Sequence, residues 1–403
     1  MGVLVVGFGV IFVYGIGGSP PSTEHLLATE ISVSEVTHHL TQVSTTTPSV
    51  KPTMTLPTQM QAPSHTLPAP TPTVETIVLP ETVMLNGIQQ EYQIAENSAP
   101  ATLSMTLSYW KWSGDQHDTA AFLKPNSRDK NVMPYEMVFF VSEETELGAL
   151  WRVGGDVELL KRLIAADFPV LIEKGVEGIG FEGWMGHYEI IIGYNDAEQY
   201  FMVQDSFIGK NIIFYEDIHQ YWQHFNYTYI VIYYPAREAE VLAILGPHVD
   251  ETYNYQNAAQ IASEEIFAKE GREEAFAWFN RGTNLVYLDD YAGAAAAYDE
   301  YFALYAGLNP EETNIPWRMI WYQTGPYWAY FYSGRFHDVL NLATYTINAA
   351  SDPALEETWY WRALAKEALG DIDGALADLR EAVKLNENFD IGWYQLERIQ
   401  GGD

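Results

Sequence analysis

The middle of the chain alternates between helical and strand-like spacing of its apolar residues. Leu103 and Leu107 belong to a helical pattern over residues 101–110, and residues 157–166 repeat that pattern. Runs rich in β-branched and aromatic residues follow and predict a buried antiparallel sheet. Because the helices come first and the strands after them, we expect an α+β fold over residues 83–240. The strands are predicted at residues 169–172, 188–194, 200–204 and 229–233.

A second pattern begins after Pro247, where small and aromatic residues recur at helical spacing and in a longer repeat. Trp359 and Trp393 are 34 residues apart, and the segments SGRF at 333–336 and LGD at 369–371 occupy corresponding places. This pattern resembles the tetratricopeptide repeat, in which helical hairpins stack into a solenoid. The resemblance implies an all-α domain over residues 254–403 that binds a protein partner.

The amino-terminal part has a different composition. Residues 1–18 are uncharged and largely apolar, whereas residues 19–80 are rich in Thr, Ser and Pro. The first pattern is typical of a signal peptide or a short membrane anchor. The second cannot bury enough apolar area to fold, so it predicts a disordered linker. We therefore expect an exported protein, at the cell surface or anchored to the membrane on its outer side.

Charge and cysteine content narrow the classes of function. The 403 residues carry a net charge of -33, and such a surface repels phosphate backbones, so we expect no nucleic-acid partner. The chain contains no cysteine, which excludes disulfides, thiolate metal sites and thiol catalysis. No pattern in the sequence indicates a metal or an organic cofactor.

Four polar residues of the α+β segment follow each other in an order that suits acyl-transfer chemistry. Ser98 lies at the start of a predicted helix, whose dipole favours an anion. Gln93 lies just upstream, where its amide would donate to a developing oxyanion. His187 and Asp205 lie on successive predicted strands, as a base and the carboxylate that orients it. These four residues are the candidate catalytic set.

The same segments resemble family thirty-nine of the cysteine peptidases, and specifically its stand-alone bacterial branch. The resemblance is carried by residues 93–107, 186–196 and 203–205 and covers about residues 85–235. It implies a papain-like fold in which Gln93 is the oxyanion donor, His187 the base and Asp205 its orienter. The chain departs from the family motif Cys-Gly-Pro-Ala at two places, since it has Ser98 and Ala99 instead.

The replacement of cysteine by serine leads us to expect a peptide-binding protein that does not cut its ligand. A thiol has an ordinary pKa of about 8.5, and a hydroxyl ionises far less readily. The cleft would hold a peptide while the repeats bind a protein partner. Two alternatives stay open. The first is an active hydrolase or peptidase with Ser98 as nucleophile, and the second is a scaffold whose function resides in the repeats alone.

Each candidate residue also has an ordinary structural interpretation. Ser98 suits a helix cap, His187 a core histidine bonded to a carbonyl, and Asp205 a turn. The cationic segment 124–130 suits a solvated loop, or alternatively a contact with the substrate or with the helical repeats.

Overall fold

The computed structural model of this chain describes residues 78–94, 97–177, 183–307, 318–350 and 352–401. The predicted signal or anchor at 1–18 and the predicted linker, apart from its last three residues, lie outside the described residues. Among the residues described, no helix is both long enough and apolar enough to span a membrane.

An antiparallel sheet lies at the centre of the first part of the described chain, which comprises the described residues from 78 to 250. Its strands run in the order β2-β7-β3-β4-β5-β6, and β1 pairs with β4. The residues of β3 and β7 are almost entirely buried, because both are interior strands with covered faces. The bounds are β1 Thr82–Met84, β2 Gly148–Arg152, β3 Val170–Val176, β4 Met185–Asn195, β5 Tyr200–Asp205, β6 Gly209–Phe214 and β7 Tyr229–Tyr233.

The strand register places the candidate base and carboxylate on one face of this sheet. Glu189 of β4 lies directly opposite Asp205 of β5. His187 is two residues before Glu189, so its side chain lies on the same face. His187 and Asp205 are therefore diagonal neighbours across adjacent strands, within reach of each other's side chains.

Helices cover the faces of the sheet. The first, Ser98–Tyr109, is buried from Ala99 to Ser108, because it packs within the hydrophobic core that the sheet and these helices form together. The helix that starts at Val157 is capped by Asp156, whose side chain accepts a hydrogen bond from the Leu159 amide at 2.7 Å. The bounds are α1 Ser98–Tyr109, α2 Gln116–Leu123, α3 Pro134–Glu144, α4 Val157–Ala165, α5 Tyr215–Trp222 and α6 Glu238–Leu245.

The second part of the described chain, which comprises the described residues from 251 to 401 and which we call the helical part, has helices as its only regular elements. Small residues such as Ala294 and Ala363 are fully buried where helices meet, which lets neighbouring helices approach closely. Their assignment to tetratricopeptide repeats stays a prediction. The bounds are α7 Glu251–Ala268, α8 Arg272–Tyr287, α9 Tyr291–Gly307, α10 Met319–Tyr322, α11 Gly325–Tyr332, α12 Phe336–Ala349, α13 Glu356–Ala368, α14 Ile372–Leu385 and α15 Asp390–Gly401.

The two parts share a hydrophobic core. Trp184 and Phe225 come from the first part, yet both are buried in the cluster that the helices form. The two rings stack at 5.6 Å between centroids, and Trp184 also stacks on Phe276 of α8 at 6.5 Å. Arg272 of α8 pairs with Glu177 at 2.9 Å across the same boundary. The helical part is therefore packed firmly against the sheet.

Candidate functional site

Ser98 is the first residue of α1, and its hydroxyl contacts the sheet. The hydroxyl oxygen lies 2.8 Å from Nδ1 of His187 and accepts a hydrogen bond from the Tyr188 amide at 3.1 Å. Asn97 occupies the N-cap position, and no side chain caps this helix end. The interpretation of Ser98 as an ordinary helix cap is therefore wrong, because its hydroxyl bonds to β4 instead.

His187 connects Ser98 to Asp205. Its Nε2 lies 2.7 Å from Oδ2 of Asp205, and its side chain is 3% exposed. In a neutral imidazole one ring nitrogen donates and the other accepts. The Asp205 carboxylate accepts a hydrogen bond from Nε2–H, so Nδ1 is left to accept a hydrogen bond from the Ser98 hydroxyl. This arrangement holds the ring in the tautomer that a base beside Ser98 requires.

Asp205 is held by more than the histidine. Its Oδ1 accepts hydrogen bonds from the amides of Phe207 and Ile208 at 2.6 and 3.1 Å, so the carboxylate also closes the turn that follows β5. Burial would raise the pKa of Asp205, but the charge and hydrogen bond of His187, aided by Lys174 and the Phe207 amide, lower it to about 2. The carboxylate therefore stays ionised at any ordinary pH.

Gln93 lies against the same strand end. Its Oε1 accepts a hydrogen bond from the Ser206 hydroxyl at 2.9 Å, and its backbone amide donates to the Ser206 carbonyl at 2.8 Å. Because the side-chain oxygen is engaged with Ser206, the orientation of the amide is fixed. Gln93 lines the same cavity as Ser98 and His187, which the structure thus brings together with it. All four residues predicted from the sequence are in one place.

The cavity above Ser98, which we call the cleft, is small and partly covered by the helical part. Its volume is about 70 Å³. Trp321 and Tyr322 of α10 form one wall, and the segment 124–132 forms another. A ligand that reaches Ser98 therefore passes residues contributed by both parts of the chain.

The cationic segment 124–130 is solvated only in its middle. Lys124 is 5% exposed and lines the cleft with Lys130. The Lys130 amide donates to the carbonyl of Ala354 at 3.2 Å. The solvated-loop interpretation holds for the middle of the segment, where the Arg128 side chain is 69% exposed. The two ends pack between the cleft and the helical part, as the alternative predicted.

Two features of the site had no counterpart in the sequence analysis. The first is Glu173 of β3, whose buried carboxyl lines the cleft and hydrogen bonds Tyr188. The available signal was the charged pair Glu173 and Lys174 directly after the apolar residues 170–172 of the strand. The second is the cover formed by Trp321 and Tyr322, which depends on how the helices dock and has no local signal. Among the described residues, no group of three or more His, Asp and Glu is arranged to hold a metal ion.

Comparison with known proteins agrees with this geometry for part of the chain. Residues 87–231 match the family described as the Peptidase_C39 like family. This range contains Gln93, Ser98, His187 and Asp205, and the chain therefore carries a C39-like, peptidase-like domain. No curated protein matches the sequence.

Three solved structures are similar to this chain. One is described as a C39-like peptidase from Bacillus anthracis, with 15% identity, 38% of this chain and 98% of that chain covered, and a TM-score of 0.31. Another is a double glycine motif protease from an AMS/PCAT transporter in complex with the leader peptide, with 17% identity, coverage of 38% and 97%, and a TM-score of 0.29. A third is xylellain, a cysteine protease from Xylella fastidiosa, with 15% identity, coverage of 39% and 87%, and a TM-score of 0.27.

Proposed function

We propose that the cleft at Ser98 binds an extended peptide without cleaving it. The observation that carries this proposal is the position of the Ser98 hydroxyl, 2.8 Å from His187, in a segment similar to cysteine peptidases. His187 and Asp205, the partners that a nucleophile needs, are kept, while the Ser98 hydroxyl is a much weaker nucleophile than a thiol. Such a cleft retains its contacts to a ligand and loses the chemical step.

The chemistry of the hydroxyl supports this proposal. A thiol next to an imidazole and a helix N-terminus is readily held as its anion. A hydroxyl must instead lose its proton to the base while it attacks, which demands closely matched geometry. Here the Ser98 oxygen also accepts a hydrogen bond from the Tyr188 amide. That bond stabilises the resting hydroxyl and must be weakened before the oxygen can move towards a carbonyl.

The surroundings of Ser98 point the same way. Ala99, which follows it, is 5% exposed and lines the cleft. Its methyl group therefore takes up space in the cleft that a glycine would leave free.

Restoring the thiol gives the sharpest test. In the double variant Ser98→Cys with Ala99→Gly, we expect cleavage of members of a peptide library that is abolished by iodoacetamide. The cleaved sequence then supplies the ligand, and calorimetry with the natural chain should show binding of that peptide with no product by mass spectrometry. Turnover by the natural chain that is lost in His187→Ala would contradict the proposal.

A serine hydrolase is the second candidate. The observation that favours it is the unbroken series of hydrogen bonds from Ser98 through His187 to Asp205, at 2.8 and 2.7 Å. A fluorophosphonate probe that labels the natural chain at Ser98, and fails to label His187→Ala, would establish this function. No labelling at millimolar probe would reject it.

The remaining proposals concern the location of the protein in the cell and the partner that it binds. The composition of residues 1–80 supports export and tethering at the cell surface. Protease treatment of intact cells should remove the folded part if this is correct. The helical architecture supports the proposal that this part binds a protein partner, although some of its surface already packs on the sheet. The alternative of a scaffold whose function lies only in the helices predicts that partner capture survives His187→Ala and Ser98→Ala alike.

A further inference from the structure

A cavity between the sheet and the helices is a feature of the structure that the proposed function does not use. Its volume is about 370 Å³, within the range of small-ligand sites. Both parts of the chain contribute, for example Trp151 and Glu173 from the first and Trp328 and Glu357 from the second. We call it the aromatic cavity. It exists only because the two parts pack together.

Eight aromatic residues line this cavity. Trp151 and Tyr287 lie 5.8 Å apart between ring centroids, and Trp328 and Trp361 lie 5.2 Å apart. Tyr287 is 48% exposed and Trp328 is 38% exposed, although both line the cavity. The cavity therefore opens to solvent, and its ring faces are accessible to a ligand.

Two buried carboxyl groups also line this cavity. Glu357 of α13 is 7% exposed and Glu173 of β3 is 4% exposed. No lysine or arginine among the described residues pairs with either carboxyl group. Burial raises the pKa of both, and for Glu357 the nearby Glu356 and Glu136 raise it further. Burial favours the protonated form of such a carboxyl group, and a cation bound beside it would stabilise the ionised form instead.

Aromatic faces and carboxylates together are the chemistry that recognises organic cations. A guanidinium stacks on indole and phenol rings and also makes paired hydrogen bonds with a carboxylate. A neutral apolar ligand would fill the cavity yet leave both carboxyl groups without a cationic partner. The net charge of -33 also raises the local concentration of cations near the protein. The observations favour a basic group on an apolar stem.

The aromatic cavity adjoins the cleft. Glu173 and Tyr322 line both spaces, so the cavity and the cleft share these two side chains. We propose that the aromatic cavity binds an arginine side chain of the peptide that the cleft holds, between the aromatic rings and with its guanidinium on Glu357. The peptide context rests on the proposed function, whereas the recognition of arginine does not.

Calorimetry with a single capped residue tests the cavity by itself. We expect N-acetyl-arginine amide to bind the full chain at least roughly tenfold more tightly than N-acetyl-citrulline amide, which has the same shape without the charge. Glu357→Gln should remove this preference, and Glu216→Gln, a change on the exposed face of α5, should keep it. Melting temperatures of both variants verify that they are folded.

The outcome for Ser98→Ala separates the two proposals. Arginine amide binding that persists in this variant places the probe in the aromatic cavity, and binding that is lost places it in the cleft and overturns the inference. Equal binding of arginine and citrulline amides, or a preference that survives Glu357→Gln, would also overturn it. If the thiol-restored chain cleaves no peptide while arginine recognition persists, the proposed function fails and the cavity assignment stands.

Discussion

Asn226 and Asn284 exchange two hydrogen bonds across the boundary between the sheet and the helices. Nδ2 of Asn226 donates to Oδ1 of Asn284 at 2.7 Å, and Nδ2 of Asn284 donates back at 3.1 Å. Both side chains are buried, at 3% and 0% exposure. Two amides paired in this way satisfy each other where water is excluded, so each one depends on its partner.

Truncating one amide of this pair should destabilise the whole chain. In Asn284→Ala the buried amide of Asn226 loses its partner, and we expect the free energy of unfolding to fall by about 1–3 kcal/mol. Asn388 supplies a matched control, since it also bridges the parts through a bond to the Phe122 carbonyl but is exposed. Asn388→Ala should cost less than ~0.5 kcal/mol. Equal losses in urea unfolding would show that burial of the pair is irrelevant.

The buried carboxyl groups near α3 and α13 should make the chain more stable as pH falls from 8.5 to 5.5. Burial, and then the charge of Glu356, raise the pKa of Glu136 from 4.5 to about 8, and the pKa values of Asp129 and Glu357 are raised too. Glu136 is therefore protonated in the folded chain below pH ~8 and ionised in the unfolded one above pH ~4.5, and the raised pKa values of the other two groups act in the same direction. Their contribution is therefore full at low pH and is lost as pH rises through about 8.

Thermal unfolding at the two pH values measures this effect. We expect the melting temperature of the natural chain to be higher at pH 5.5 by at least ~2 °C. Glu357→Gln should reduce the difference, while the exposed Glu216→Gln should leave it unchanged. A melting temperature that rises between pH 5.5 and 8.5 would contradict the assignment of these carboxyl groups as protonated.

Asp205 predicts a loss of stability in strong acid. Because its pKa is lowered from 3.8 to about 2, its stabilising contribution is present above pH ~4 and is lost as pH falls through 2. The shift corresponds to roughly 2 kcal/mol. Unfolding followed between pH 4 and pH 2 should therefore be steeper for the natural chain than for Asp205→Asn. Parallel curves would mean that the carboxylate gains nothing from His187.

The cover over Ser98 can be probed by thiol chemistry, because the natural chain contains no cysteine. In the Ser98→Cys variant the introduced thiol is the only one, so its alkylation by iodoacetamide reports access to the cleft. Adding Trp321→Ala should increase the alkylation rate by ~3-fold or more, since Trp321 lines the cleft. Adding Tyr394→Ala, which removes a side chain that is 66% exposed, should leave the rate unchanged.

The parts of the fold that were predicted well have long, regular patterns. The strand at Tyr229–Tyr233 and the helix at Val157–Ala165 match the predictions within one residue, because β-branched runs and an apolar helical face leave little choice. The helix Gln116–Leu123 was missed because its sequence is largely polar. Its capping box at Asp115 and Asp118 was a readable signal. Similarly, Pro134 marks the start of α3 at a favoured position.

The candidate site was predictable to the extent that it is carried by a motif. Gln93, Ser98, His187 and Asp205 were selected by order and spacing, and the sheet register brings the last two together. The contribution of Trp321 could not be inferred, because it depends on the docking of α10 against residues far away in sequence. The position of Glu357 beside aromatic rings in one cavity depends on the same docking.

The order of synthesis gives the shared core a further consequence. The ribosome completes the sheet first, so Trp184 and Phe225 stay exposed until Phe276 and the helices after it have been synthesised. Until α10 has been translated, Ser98 lacks the cover that Trp321 and Tyr322 provide. A chain truncated before Trp321 would therefore leave the ribosome with this side of the cleft uncovered.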